Sequence, residues 1–114
     1  MDMEKDKRIA KEIKKLKKIA KQVPADKTVI ADNLVKELAF IAVTLEDLRE
    51  NINENGAVDF FKQGAQEFYR ESPALKSYNT TIQRYSLLYK QLIDLLPKAD
   101  PRATGSDLLD FINE

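Results

Sequence analysis

Cysteine and histidine are both absent from the 114-residue chain, and together these absences remove most common catalytic chemistries. Without cysteine there is no disulfide, no thiolate metal site and no cysteine nucleophile. Without histidine there is no imidazole acid or base, no Ser-His-Asp catalysis and no ordinary zinc site. The three glycines, Gly56, Gly64 and Gly105, are scattered, whereas a phosphate-cradling loop needs them close together. No apolar run is long enough to span a bilayer, and the lysine-rich start lacks the uninterrupted apolar stretch of an export signal. A non-enzymatic protein of the reducing cytoplasm is expected, with no catalytic residue, metal, cofactor, small-molecule substrate or membrane contact.

What is present is a globular balance, 43% hydrophobic and 33% charged, in a chain of one domain or of one element that completes its core with copies of itself. The net charge of zero is unevenly distributed. Residues 1–21 hold nine Lys and Arg against four Asp and Glu, an excess of five; the other 93 residues hold ten against fifteen. A basic arm on an acidic body implies two different contact surfaces.

Residues 1–23 predict a basic amphipathic helix. Ile9, Ile13, Leu16, Ala20 and Val23 recur at spacings of four and three, widened by Ile19. Lys7, Lys11, Lys14, Lys18 and Lys21 follow the same rhythm half a turn away. Pro24 breaks the pattern, and Asp26 is a candidate cap for the helix that follows. That second helix is expected from about 27 to 55, with Ala31, Leu34, Leu38, Ile41, Leu45, Leu48 and Ile52 in an unbroken heptad ladder. Val35, Phe40, Ala42 and Val43 lie outside the ladder. A helix packed on one neighbour would not need that width.

Asn55-Gly56 ends the second helix. The stretch 57–70 loses helical periodicity and carries Phe60, Phe61, Phe68 and Tyr69 around Gln63-Gly64, which predicts a small β-hairpin with glycine in the turn. Such a hairpin is marginal alone in water, so its aromatics must lean on the helices or on another subunit. Ser72-Pro73 opens a third helix, a capping hydroxyl followed by proline at the first helical position. This helix runs to Leu96 and stops at Pro97. Its ladder is Leu75, Tyr78, Ile82, Tyr85, Tyr89, Leu92 and Leu96, extended sideways by Leu88 and Leu95. Helices two and three match in length and repeat, as an antiparallel pair requires.

The expected fold is therefore mainly α. A long antiparallel helical hairpin over 27–97, with a small β-hairpin at its connection, is preceded by the basic amphipathic helix and followed by an acidic tail, 98–114. Burial along two ladders leaves little margin over the entropy of ordering such helices, so self-assembly is the expected source of further burial. Leu34, Leu38, Ile41, Leu45, Leu48, Ile82, Tyr85, Tyr89 and Leu92 are the candidate seam, within the core or between copies. In the tail, Leu108, Leu109, Phe111 and Ile112 form a candidate partner-docking segment that Ser106 could cap; fraying or packing in cis are its alternatives.

The basic helix carries the main functional signal. Lysines on one helical face neutralise backbone phosphates and release counterions. The candidate nucleic-acid contacts are Lys7, Arg8, Lys11, Lys14, Lys15, Lys18 and Lys21. The alternative is a solvated lysine face on a helix that simply packs through its isoleucines. Tyr78, Tyr85 and Tyr89 could stack on bases, although heptad spacing favours packing. The pairs Glu46/Asp47 and Asp107/Asp110 read as solvated charge rather than a metal or acid/base site.

The order of these elements resembles a known family. A long helix ends in Glu54-Asn55-Gly56; an aromatic hairpin with a central glycine follows; then Ser72-Pro73-Ala74-Leu75 opens a second long helix that closes at Leu95-Leu96-Pro97. Over about residues 30–97 this is similar to the phage terminase small-subunit family. The resemblance implies a non-catalytic homo-oligomeric ring that recognises double-stranded viral DNA in the host cytoplasm. It also implies a large terminase subunit as partner, owning the ATPase and nuclease. The competing expectation is a structural helical-hairpin or coiled-coil adaptor without nucleic-acid binding.

Overall fold

The computed structural model describes residues 3–97, which form α1 (Met3–Ala20), a 3-10 turn (Ala25–Lys27), α2 (Thr28–Asn55), β1 (Val58–Gln63), β2 (Gln66–Glu71) and α3 (Pro73–Asp94). The architecture is the expected one, a basic helix followed by a helical hairpin with a small antiparallel sheet at its connection. The tail with Leu108, Leu109, Phe111, Ile112 and the Asp107/Asp110 pair lies outside the described residues. No helix among the described residues is long and apolar enough to cross a membrane.

The helix ends follow local chemistry. α1 stops at Ala20, three residues before the expected limit. Gln22 and Val23 donate to the carbonyls of Ile19 and Ala20 at 3.1 Å, the i to i−3 bonds that tighten a last turn. Pro24 then has no N–H to continue with. Asp26 does not cap α2: it lies inside the 3-10 turn, and the residue preceding α2 is Lys27, whose side chain makes no capping bond. At the other end, Gly56 adopts φ +84° while its N–H reaches the Ile52 carbonyl at 2.7 Å. Ser72 is the cap the sequence indicates. Its hydroxyl accepts from the N–H groups of Ala74 (3.2 Å) and Leu75 (3.4 Å), with Pro73 at the first helical position.

α2 is the centre of the molecule and packs against both α1 and α3. Its buried residues, Ala31, Val35, Leu38, Ala39, Ile41, Val43 and Leu45, form a band wider than the heptad ladder. Val35, Ala39 and Val43, spaced by four, make a second stripe beside the ladder. Val43 lies beside Arg8, Lys11, Glu12 and Lys15 of α1. The core joins all three helices: Leu16 of α1, Val35 and Leu38 of α2 and Leu92 of α3 are buried together, flanked by Ile9, Ile13, Tyr85, Leu88 and Tyr89. The extra width of α2 therefore serves α1 within the same chain, where self-assembly was the expectation for further burial.

The seam is uneven along its length. Leu38 and Leu92 are completely buried, Ile41 and Leu45 nearly so, and Leu34, Leu48, Tyr85 and Tyr89 are half-buried. Ile82, expected within the seam, is exposed at its edge.

The β-hairpin pairs Val58 with Glu71 through to Gln63 with Gln66. Gly64 has φ +59° and no other residue of the turn is left-handed, the pattern of a two-residue type II′ turn with glycine first. Phe60–Tyr69 and Phe61–Phe68 face each other at ring separations of 5.2 and 5.0 Å. Among the described residues the hairpin makes no extended contact with any helix. Phe61 is half-buried, whereas Phe60, Phe68 and Tyr69 are exposed.

Truncating a core residue must leave a cavity where α2 meets its neighbours. Leu38→Ala and Leu92→Ala are each expected to lower stability by about 2–5 kcal/mol. Leu87→Ala, at an exposed position, should change it by no more than about 0.5 kcal/mol. Urea unfolding followed by circular dichroism, at one fixed protein concentration, measures all three.

Candidate nucleic-acid interface

The position of the lysines follows from how α1 is seated. Ile9, Ile13, Ile19 and Ala20 pack around the buried Leu16 and onto the core, so the opposite face of the helix points to solvent. Lys7, Lys11, Lys14 and Lys18 are all exposed on or beside that face, Lys11 bordering the groove to α2, and over eleven residues they span about 16 Å of helix axis. Lys21 continues the row just beyond the end of α1 and is also exposed.

A polar clamp fixes the outer end of the helix. Arg8 donates from Nη1 to Asp47 Oδ1 and from Nη2 to Glu46 Oε2, both at 2.7 Å. Lys5 Nζ stands 3.8 Å from Asp47 Oδ2 and 5.0 Å above the centre of the Phe40 ring. Hydrogen bonds to Glu46 and then Asp47 push the Arg8 guanidinium further above its already high value, so its charge is permanent. A fork-shaped donor matched by two adjacent carboxylates sets register as well as attraction.

Arg8 is thus drawn to the side of α1 that faces α2 and does not share the lysine row, although the sequence pattern grouped it there. Lys15 lies at the flank and pairs with Glu12 at 3.2 Å. Lys5 is a clamp residue that the pattern did not single out. Glu46 and Asp47, read as solvated charge, are the acceptors of the clamp. Nothing in the local sequence could reveal this, because the partners are 38 and 39 residues apart. Among the described residues no group of three His, Cys, Asp or Glu could hold a metal ion.

The tyrosines belong to packing. Tyr85 and Tyr89 stack with centroids 6.0 Å apart and lie half-buried against the core. The Tyr78 hydroxyl accepts from Arg49 Nη2 at 3.0 Å, and the guanidinium stands over the same ring. Burial raises the Tyr85 phenol, reinforced by Tyr89 and by Glu12 of α1. No protein-family model, curated protein or solved structure matches the chain.

The raised phenol carries a pH signature. An unfolded tyrosine ionises near about pH 10, whereas folded Tyr85 holds its proton to higher pH. Its contribution is therefore complete below about pH 10 and is lost as the pH rises through the folded value. Thermal melts from pH 8 to 11 should show this alkaline loss, and Tyr85→Phe should make it shallower.

Proposed function

We propose that the chain is the small subunit of a viral DNA-packaging terminase: a non-catalytic homo-oligomer of the host cytoplasm that recognises double-stranded viral DNA and presents it to the large ATPase and nuclease subunit. The observation that carries the reading is the outward row of Lys7, Lys11, Lys14 and Lys18 on a helix whose opposite face is locked into the core. A row anchored in this way offers positive charge at fixed spacing without having to be ordered on binding, which lowers the entropic cost of contact. The connector from Glu54-Asn55-Gly56 through the aromatic hairpin to Ser72-Pro73-Ala74-Leu75 supports the family assignment.

Contacts from lysine ammonium groups to phosphates position a protein on a duplex but carry no base information. The α1 row supplies affinity by this route. Several such rows on one oligomer would favour DNA whose shape and deformability let it follow them, which is the route to sequence preference without base contacts.

The second reading, an adaptor that binds no nucleic acid, draws on the clamp: Arg8 and Lys5 are already matched by Glu46 and Asp47, which lowers the charge available to a polyanion. Binding of duplex DNA as a function of salt separates the two. Five lysine contacts correspond to a log–log slope near about −4.5. Replacing Lys7, Lys11, Lys14, Lys18 and Lys21 with Gln should bring that slope towards zero while leaving the mass by light scattering unchanged. Salt-independent or absent binding by the unaltered chain supports the adaptor.

A further inference from the structure

The β-hairpin carries a cluster of large apolar side chains that the described part of the fold leaves exposed. Val58 is 59% exposed, Phe60 50% and Tyr69 75%, on a two-stranded sheet whose outer edges pair with no further strand among the described residues. A hairpin of this size is marginal in water without further strands or a covering helix. Open, aromatic edges without proline or a bulge are templates for another strand.

The side chains of the two strands follow one pattern. β1 reads Asp59-Phe60-Phe61-Lys62 and β2 reads Glu67-Phe68-Tyr69-Arg70, each an acid, two aromatics and a base. Run antiparallel, such motifs place acid against base and ring against ring. Within the hairpin this match is realised. Asp59 faces Arg70, with Oδ2 to Nε at 3.1 Å, and Lys62 faces Glu67, with Nζ to Oε1 at 3.5 Å.

The peptide groups are available for the same pairing outside it. Ser72 N–H bonds the Ala57 carbonyl at 2.9 Å, which makes 57 and 72 a hydrogen-bonded pair. Alternation along an antiparallel ladder then gives the inward bonds to 59, 61 and 63. Phe60 and Lys62 on β1, and Glu67 and Tyr69 on β2, therefore turn their N–H and C=O groups outward.

We infer that these hairpins join copies of the chain edge to edge, with β1 of one copy antiparallel to β2 of the next in the register already present inside each hairpin. Lys62 then faces Glu67 of the neighbouring copy, Asp59 faces Arg70, and Phe60 faces Tyr69. Pairing unlike strands uses both edges of every copy and repeats one set of contacts, so a closed circuit leaves no edge open. Pairing like strands would need two different contacts, β1 with β1 and β2 with β2, to use every edge. The inference rests on the reading that the protein is a homo-oligomer and names the element through which the copies meet.

Cysteine cross-linking tests it, because the chain has no cysteine of its own. Lys62→Cys and Glu67→Cys are exposed substitutions at positions that an outer hydrogen-bonded pair would hold about 5.5 Å apart between α-carbons, within disulfide range. The two variants, refolded together and oxidised, should give a disulfide-linked dimer containing one chain of each kind. Neither variant alone should give it.

Light scattering on the unaltered protein keeps the two levels apart. If it is an oligomer and the mixture yields no mixed dimer, or either variant cross-links equally well alone, the hairpin contact is wrong while the oligomer stands. If it is a monomer at every concentration, the oligomer reading fails first and the hairpin contact with it.

Discussion

The band of buried residues on α2 is too wide for one neighbouring helix to cover, and the rest of the structure is arranged around that fact. Leu38 and Ile41 lie on the heptad ladder, whereas Val35, Ala39 and Val43 lie beside it, and all are buried. Covering the whole band takes α3 together with α1. Apolar area removed from water stabilises by roughly 25 cal/mol per Å², so leaving either side open would sacrifice much of the core. Leu16 on α1 and Leu92 on α3 are buried in one cluster with Leu38 because α2 holds the two outer helices at a fixed separation.

Two functional features follow from that packing. Once Ile9, Ile13 and Leu16 are committed to the core, helical geometry puts Lys7, Lys11, Lys14 and Lys18 on the outside. The Arg8 clamp onto Glu46 and Asp47 adds little stability by itself, since exposed ion pairs rarely do; its value lies in fixing the direction of the first turns. The β-hairpin, in contrast, sits beyond the end of the helical pair, and most of its side chains are exposed. Its rings pair with one another and with Arg70, whose guanidinium stands 4.6 Å from the centre of the Phe61 ring.

Periodicity and punctuation made much of this legible. The heptad ladders of α2 and α3, the glycine in the hairpin turn and the Ser72-Pro73 start all depend on neighbours a few residues apart, and local sequence records such effects directly. The width of the apolar band on α2 was equally visible. Its occupant was not, because the pattern states how much surface must be buried and leaves open whether a helix of the same chain or of a copy buries it. Asp26 illustrates the opposite error: a suitable capping residue near a helix start loses its role when a 3-10 turn from Pro24 intervenes. Arg8 shows a third kind. A cation within a lysine-rich face was diverted to a pair of acids on another helix, and only the packing of α1 on α2 determines that.

The seating of α1 on α2 can be measured directly by native-state hydrogen exchange on the full chain in the absence of DNA. Helices that share one core open together, so amides of α1 between Ile9 and Ile19 should exchange with the same opening free energy as those around Leu38. Exchange of α1 at the rate of an isolated peptide, while α2 stays protected, would mean that the basic helix is not part of the core and that its lysines are not held in a fixed row.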